Sequence, residues 1–299
     1  MSKIITVWGS PGSGKSMFCS ILAKMVTREK RHKAIVISGD QMTPMLPVWL
    51  PDQIIETESS VGNVLTSLEI DSAITASHVV VLKSFPFIGV MGYAAKENPL
   101  SYPEVRYEKY RELFSSAARL VDYVILDCPS SLTCLFTPAA IESAHLSVCM
   151  LTPDLKGINY LQAQQALLID PKFKFGSHLY LAGMARPYHA LDEMGHIVGG
   201  FAGLFPYAKE IDRCATEGGM FSALGHCSKK HLLALQKIID AVSDEPAAEE
   251  KETLPSRKKP GPEKPRREKK PLWGKKKAPE PVEEPDAEEE GQSDEQQTQ

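Results

Sequence analysis

An eight-residue stretch, GSPGSGKS at residues 9–16, constrains the fold of this 299-residue chain more than any other part of its sequence. The β-rich run KIITVW at residues 3–8 precedes it, and SMFCSILAKMVTREK at residues 16–30 follows with the apolar spacing of a helix. Its first glycine and its last three residues match the Walker A pattern G-x-x-x-x-G-K-[ST]. Because strand, loop and helix occur in the order that this pattern requires, we predict a phosphate-binding loop rather than a coincidental glycine-rich turn.

Each part of this loop has a defined chemical role. Glycines allow backbone N–H groups to surround phosphate oxygens, and the N-terminus of the following helix adds positive potential. We expect Lys15 to neutralise β- and γ-phosphate oxygens and Ser16 to coordinate Mg²⁺. The predicted phosphate-binding residues are continuous in sequence: Ser10, Pro11, Gly12, Ser13, Gly14, Lys15, Ser16 and Met17.

Two acidic residues follow apolar strand-like runs and are candidates for the metal side of the site. Asp127 ends YVILD and precedes a proline, and Asp40 follows AIVIS and a glycine. Ligands in open α/β sheets bind at the carboxyl ends of strands, so we expect both acids to face the phosphates. We assign the metal to Ser16 and Asp127, with Asp40 as a further candidate. The ordinary alternatives are a capping or loop role for Asp127 and a Gly-Asp turn at Asp40.

Strand-like and helix-like runs alternate up to residue 243. This order predicts an α/β fold with a three-layer, doubly wound, mostly parallel sheet in a single nucleotide-binding domain over residues 1–243. Residues 89–104 are rich in glycine and proline and are interpreted as a connection. The expected strands lie at 3–8, 34–38, 78–85, 123–129, 147–154, 179–187 and 199–207, and the expected helices at 16–30, 60–74, 105–121, 159–169 and 229–242.

The composition changes at residue 244, where proline, glutamate and lysine replace the apolar residues. Such a segment cannot bury enough apolar surface to offset its ordering entropy, so we predict a disordered tail at 244–299. Residues 257–277 carry eleven Lys and Arg against two Glu, and residues 280–295 carry nine Asp and Glu and no base. The net charge of −4 therefore conceals two opposite blocks, and residues 1–243 are close to neutral.

The sequence also indicates a compartment. One lysine precedes the first strand-like run, no small-residue cleavage site follows it, and no stretch approaches ~18 apolar residues, so we expect neither a signal peptide nor a membrane-spanning helix. The six cysteines lack CxxC spacing, which is typical of a reducing cytosol. We therefore expect a cytoplasmic protein. The cluster HCSKKH at 226–231 fits no common zinc spacing and is interpreted as a polar helix start.

These runs resemble the MinD/ParA superfamily of P-loop ATPases over about residues 3–225. The resemblance implies ATP and Mg²⁺ as ligands and Lys15 and Asp40 as catalytic residues. Asp40 ends Ser-Gly-Asp where the family has D-x-D, a position that orients the attacking water, and Asp127 takes the metal-side role. Further similar runs are SVGNVLTSLEIDSAI at 60–74, DYVILDCPSSL at 122–132, LTPD at 151–154 and the purine-side run GLFPYAKEIDRCATEGG at 203–219.

Besides Ser38 in the D-x-D run, two further positions depart from the family pattern. Ser10 stands where switching members carry a signature lysine that reaches the phosphate of a dimer partner. A cation supplied in trans can raise hydrolysis ~10³–10⁵-fold, so its replacement implies an ATPase with weak turnover and a weak or absent ATP-driven homodimer. Ala185 stands where the family has a purine-reading asparagine, while Arg186 is retained. Arg186 and Pro206 are therefore the expected adenine-side residues. No NKxD-type guanine reader is visible, which disfavours GTP.

With these departures, the chain more closely resembles the CpaE/TadZ-like subset of the superfamily. These are bacterial proteins that work with pilus-type secretion machinery. That resemblance implies protein partners in a pilus, secretion or conjugation assembly that the chain positions or regulates. In the tail, KKPLWGKKK at 269–277 places Leu272 and Trp273 within a basic block, a composition suited to an anionic membrane surface at the inner face, although a solvated linker has a similar composition.

Two other functions remain open at this stage. A ParA-type DNA-partition ATPase needs a basic surface on the folded body, whereas the basic residues concentrate in the tail, so nucleic acid is the less expected partner. A small-molecule P-loop kinase can use the same loop, but such enzymes show an arginine-rich lid and an acceptor pocket. Neither is visible, and residues 85–104 are the region that can contain them.

Overall fold

A computed structural model of the chain describes residues 2–29, 32–53 and 57–243. The tail predicted at 244–299, with its basic and acidic blocks and the segment proposed for membrane contact, lies outside the described residues. None of the described helices is long and apolar enough to cross a membrane.

Within the described residues, eight strands form one sheet in the order β3-β4-β2-β5-β1-β6-β7-β8. All neighbouring pairs are parallel except β3 and β4, which are antiparallel. The mostly parallel sheet predicted from the sequence is therefore confirmed. The strands are β1 (Lys3–Gly9), β2 (Ala34–Ser38), β3 (Val80–Leu82), β4 (Phe85–Met91), β5 (Tyr123–Asp127), β6 (Leu146–Leu151), β7 (Leu179–Ala185) and β8 (Gly203–Pro206).

Helices cover both faces of this sheet. They are α1 (Lys15–Glu29), α2 (Leu46–Trp49), α3 (Val61–Thr66), α4 (Ser72–Ser77), α5 (Tyr107–Ala118), α6 (Phe136–Ser143), α7 (Leu155–Gln165), α8 (Leu191–Val198), α9 (Lys209–Thr216) and α10 (Lys229–Val242). Short 3₁₀ turns occupy Thr57–Ser59, Ala166–Leu168, Pro171–Phe173, Phe175–Ser177 and Met220–His226.

Two hydrophobic cores lie between the sheet and its helices, one on each face of the sheet. Successive residues of a strand point to opposite faces, so Ile5 and Val7 of β1 pack with α1 and α10, whereas Ile4 and Trp8 pack with α5, α6 and α7. Burial on both faces explains why the central strands are apolar throughout rather than alternating. Alternate residues of each strand therefore contribute to the two cores, and this gives the three-layer architecture of helices, sheet and helices.

The sheet differs from the sequence prediction at one side. The single strand expected at 78–85 is a hairpin, and the second strand of that hairpin, β4, runs through part of the predicted connection at 89–104. Pro86 and Gly89 obscured this strand. Pro86 precedes the part of β4 that pairs with β2, which begins at Ile88, and the backbone at Gly89 lies so close to Val79 that a Cβ would approach its side chain to 2.3 Å.

The helical predictions also need two corrections. The expected helix at 60–74 is two helices, because Ser67 has an extended backbone and Asp71 begins α4 by accepting a hydrogen bond from the Ile74 N–H at 2.7 Å. Helices α2, α6 and α8 were not predicted, since α2 and α6 contain proline and since glycine and histidine residues weaken the pattern of α8. Helices α5 and α10 lie within the predicted ranges.

The packing of α5 against the sheet generates a stability prediction. Phe114 is fully buried and its ring meets that of Phe136 edge-on at 5.1 Å, whereas Phe87 on β4 is 40% exposed. We expect Phe114→Ala to lower the free energy of unfolding by about 3–5 kcal/mol through lost burial and a residual cavity. Phe87→Ala is the matched control and is expected to cost about 1 kcal/mol. Urea denaturation measures both, and equal midpoints for the two variants would contradict this packing.

Candidate nucleotide-binding site

The glycine loop begins where β1 comes closest to β6. The Ser10 N–H donates to the Met150 carbonyl at 3.0 Å, and a Cβ at Gly9 would lie 1.9 Å from that same oxygen. Gly9, Gly12 and Gly14 all have positive φ values, of 135°, 71° and 86°. Left-handed backbone of this kind is accessible to glycine at no steric cost. The loop therefore depends on its glycines for its path as well as for access to a ligand.

Lys15, in the first turn of α1, is buried beneath this loop. Its ammonium donates hydrogen bonds to the carbonyl oxygens of Gly9 at 3.2 Å and Ser10 at 3.0 Å, and to the Ser130 hydroxyl at 2.8 Å. Burial lowers the pKa of Lys15, and the nearby charge of Asp127 opposes that shift. Ser130 was missed at the sequence level, although its position three residues after Asp127 was available as a signal.

Asp127 ends β5 and is 3% exposed. Burial raises its pKa to about 6, against the lowering effects of the Ser16 hydroxyl and the Lys15 ammonium. Its Oδ1 atom is buried and has no hydrogen-bond partner. A buried carboxylate oxygen without a partner, next to a hydroxyl, suits a hard cation such as Mg²⁺ that prefers oxygen ligands.

The protein alone supplies few ligands for that cation. Among the described residues there is no group of three or more His, Cys, Asp or Glu side chains that could hold a metal ion. In the run HCSKKH, His231 caps α10, and its Nε2 atom lies 2.8 Å from the Pro206 carbonyl oxygen. A metal bound near Ser16 and Asp127 would have to complete its coordination with phosphate oxygens and water.

Asp40 lies at the same edge of the sheet, after β2. Its charge contributes to the raised pKa of Asp127, and its Oδ1 atom accepts hydrogen bonds from the N–H groups of Met42 at 2.9 Å and Thr43 at 3.0 Å. Asp40 therefore forms the turn that was the ordinary alternative, and its carboxylate is still close enough to Asp127 to raise the pKa of that residue. The two interpretations of this residue are compatible.

The side chain of Ser10 is directed into its own chain. It is 1% exposed, and its hydroxyl oxygen accepts a hydrogen bond from the Thr152 N–H at 2.9 Å. Thr152 belongs to the turn between β6 and α7, where Asp154 caps the helix through the Gly157 N–H at 2.8 Å. Ser10 thus links the glycine loop to the next strand-to-helix turn.

The other predicted phosphate-binding residues divide into two groups. Pro11 and Gly12 are exposed at the tip of the loop. The side chains of Ser13 and Met17 are buried, and Ser13 donates to the Ser10 carbonyl at 2.8 Å. Met17 therefore offers a ligand its backbone rather than its side chain, whereas the N–H and the hydroxyl of Ser13 both donate to the Ser10 carbonyl.

The predicted adenine-side residues lie at the ends of β7 and β8. Gly183 brings β7 against the loop, since a Cβ there would lie 2.1 Å from the Ser13 carbonyl oxygen. Three residues further on, the Arg186 guanidinium lies over the Tyr207 ring, 4.0 Å from its centroid, and Tyr207 follows Pro206 at the end of β8. The structure thus places Arg186 and Pro206 at the ends of neighbouring strands, with Tyr207 in contact with Arg186, a contact that sequence reasoning missed.

Solved structures similar to this one include three nucleotide-binding proteins. McdA from Cyanothece is 14% identical over 81% of this chain and 100% of its own, with a TM-score of 0.63. MinD from Pyrococcus horikoshii, complexed with Mg-ADP, is 16% identical over 80% and 96% of the two chains, with a TM-score of 0.60. A ParA family ATPase from Chlorobium tepidum is 14% identical over 80% and 99%, with a TM-score of 0.63.

The chain has the fold of the MinD and ParA ATPases. Identities of 14–16% show a shared fold, which confirms the predicted α/β class. Neither a protein-family model nor a curated protein sequence matches the chain.

The burial of Asp127 generates a pH prediction. Its pKa is about 6 in the folded protein, whereas an unperturbed aspartate titrates near pH ~3.9. Between these values the folded protein retains a proton that the unfolded chain has lost, so this group makes stability fall as pH rises from about 4 to about 6. The contribution is on the order of 3 kcal/mol.

Asp127→Asn removes this titration, so the variant is expected to lose less stability than the wild type across the same pH interval. Urea denaturation without nucleotide at several pH values measures the two slopes. Parallel stability profiles for the two proteins would show that the Asp127 carboxyl is not buried as described.

Proposed function

We propose that the chain binds ATP with Mg²⁺ and hydrolyses it slowly, as a regulatory ATPase of the MinD/ParA type. The observation that carries this proposal is the pair of buried charges beside the glycine loop, the Lys15 ammonium and the partnerless Asp127 oxygen. Proteins with the same fold support the choice of ligand, since MinD from Pyrococcus horikoshii was solved with Mg-ADP and McdA from Cyanothece with ATP.

The proposed roles follow from the positions of the groups. Backbone N–H groups within residues 12–17 bind the phosphates, since Pro11 has no N–H and the Ser10 N–H donates to Met150, and Lys15 neutralises the phosphate charge. Ser16 and Asp127 would hold the Mg²⁺, which supplies further charge neutralisation on the phosphate oxygens when bound. Asp40 orients the attacking water, with its backbone turn fixing the carboxylate. Arg186 and Pro206 contact the adenine end of the bound ATP.

Slow turnover follows from Ser10. Its side chain is committed to the Thr152 N–H in the same chain, and a serine cannot extend a cation to a partner's phosphate. Catalysis then lacks a trans charge of the kind that raises phosphoryl-transfer rates ~10³–10⁵-fold in other P-loop enzymes. The same substitution removes one attraction that would hold a nucleotide-bridged dimer together.

We further propose a CpaE/TadZ-like role, in which the protein positions or regulates a pilus, secretion or conjugation assembly through protein partners. MinD from Aquifex aeolicus was solved in complex with MinC, so a protein of this fold does bind a protein partner. Residues 1–243 carry 22 basic and 22 acidic residues, a balance that gives DNA partition less support. Segment 269–277 is the proposed contact with an anionic membrane surface at the cytoplasmic face.

Removal of the Lys15 ammonium tests ATP binding directly. We expect Lys15→Ala to abolish detectable ATP binding, because the phosphates would lose their buried cation. Isothermal titration calorimetry with ATP and Mg²⁺ measures the affinity. The matched control is Lys24→Ala on the same helix, since Lys24 lies over the Phe85 ring and away from the loop. Unaltered ATP binding by Lys15→Ala would contradict the proposed phosphate site.

The presence of serine rather than lysine at position 10 also predicts how the oligomeric state responds to ATP. We expect ATP to leave the mass of the wild-type protein unchanged in light scattering and its intrinsic ATPase rate to be low. Ser10→Lys supplies the missing cation and is expected to gain an ATP-dependent dimer fraction, with Ser10→Ala as the uncharged control. A tight ATP-dependent dimer of the wild type would contradict this explanation.

A further inference from the structure

The end of β7 touches the glycine loop and carries a bulge. The backbone at Gly183 is so close to the loop that a Cβ would lie 2.1 Å from the Ser13 carbonyl oxygen, and a Cβ at Gly14 would lie 3.3 Å from the Met184 sulfur. Met184 has a positive φ of 53° and is an extra residue in the pairing of β7 with β8. Bulges of this kind re-aim the side chains that follow them and are common beside functional sites, and here the side chain two residues on is that of Arg186.

Arg186 presents a cationic plane that an aromatic ring supports. Its guanidinium carbon lies 4.0 Å from the centroid of the Tyr207 ring, and the Tyr207 hydroxyl donates to Asp212 at 3.3 Å. Tyr207 covers one face of the guanidinium and Arg186 is an exposed residue, so the other face is accessible to a ligand. Arginine stacks on planar π-systems, and stacking tolerates any base because every base has a π-face.

The side chains at these strand ends offer little to the edge of a base. Residues 183–190 read GMARPYHA and residues 203–208 read GLFPYA, with no Asn, Gln, Asp, Glu, Ser or Thr among them. The polar side chains that remain are two tyrosines, Arg186 and His189. His189 is committed to its own turn, because its Nδ1 atom accepts from the Arg186 N–H at 3.2 Å and its N–H donates to the Arg186 carbonyl at 3.0 Å.

The backbone at the same strand ends is also committed within the protein. The Ala185 carbonyl accepts from the Tyr207 N–H at 2.9 Å, and the Pro206 carbonyl oxygen lies 2.8 Å from the Nε2 atom of His231 on α10. These bonds hold the end of β8 to β7 and to α10. They occupy the donors and acceptors with which a backbone distinguishes one purine from another.

We propose that this site binds the face of a purine and does not read its edge, so that ATP and GTP bind with similar affinity. The inference rests on the proposed nucleotide binding and widens its substrate class to purine nucleoside triphosphates. An NKxD-type motif that would select guanine is missing from the sequence, and the ends of β7 and β8 supply no edge partner that would select adenine. Arg186, supported by Tyr207, is the residue that binds the base.

The expected selectivity follows from the kind of contact. A site built to hydrogen-bond a substrate rejects an analogue that lacks the bonding group by ~10⁴–10⁵-fold, whereas stacking separates bases by the size of their rings. The dissociation constants for ATP and GTP are therefore expected to agree within about fivefold. CTP shares the triphosphate and offers a smaller ring, so it is expected to bind more weakly than either purine nucleotide.

The test compares three nucleotides on the full chain. Isothermal titration with ATP, GTP and CTP in Mg²⁺ measures the affinities. Arg186→Ala is expected to weaken ATP and GTP together by about tenfold and CTP by less, so that the preference for purines falls while the ratio of ATP to GTP stays unchanged. Arg213→Ala is the matched control, since Arg213 on α9 is paired with Glu217 at 3.3 Å, and its affinities should equal those of the wild type.

Two further variants separate stacking from charge. Arg186→Lys keeps the positive charge but loses the plane, so it is expected to behave like Arg186→Ala. Tyr207→Leu removes the supporting ring and is expected to weaken both purine nucleotides by a smaller factor. Loss of packing alone would lower the affinity for CTP as much as that for ATP and GTP, so the ratio of purine to pyrimidine affinity distinguishes base binding from a structural role.

A preference of more than about fivefold for ATP over GTP, with normal ATP binding, overturns this inference alone, because it shows that the adenine edge is read. The same preference for GTP also overturns it and indicates that the guanidinium pairs with the guanine edge. Wild-type affinity in Arg186→Lys or Arg186→Ala contradicts the stacking role. Failure of the wild type to bind any of the three nucleotides overturns the proposed function and this inference with it.

Discussion

The contact between Gly9 and the Met150 carbonyl determines the geometry on which the rest of the site depends. At this point β1 and β6 are too close for any side chain, and the loop must turn with its carbonyls facing inward. Those carbonyls then receive the Lys15 ammonium, and the Ser10 hydroxyl reaches the turn after β6. Central placement of β1 in the sheet brings the ends of β5, β6 and β7 to the same loop.

Burial of two opposite charges is the main electrostatic feature of this edge. Lys15 has its acceptors, but Asp127 retains an oxygen without a partner, and an unpaired buried group costs free energy that a bound cation can recover. The site is therefore organised for a ligand at the expense of its own stability in the free state. Such an exchange between stability and binding is common at functional sites.

The local elements of this structure could be predicted from the sequence, but few of its long-range contacts could. The glycine loop, α1, the acid after β2 and the acid that ends β5 follow from patterns of a few neighbouring residues. The Lys15–Ser130 bond joins residues 115 positions apart, and the Arg186–Tyr207 contact depends on the pairing of β7 with β8. Strand β4 escaped prediction because Pro86 and Gly89 usually interrupt strands. Here Pro86 precedes the pairing with β2, and Gly89 is required by the close approach of Val79.

Dependence of ATP affinity on Mg²⁺ tests the central claim most directly, because the Asp127 carboxylate and the Ser16 hydroxyl are assigned to the metal. Calorimetric titration of the full chain with ATP, in Mg²⁺ and in EDTA, measures it. The account predicts binding that is at least about tenfold tighter with Mg²⁺, a gain of about 1.4 kcal/mol, and loss of that gain in Asp127→Asn. Equal affinity in Mg²⁺ and in EDTA would contradict the assignment of this sheet edge as a metal–nucleotide site.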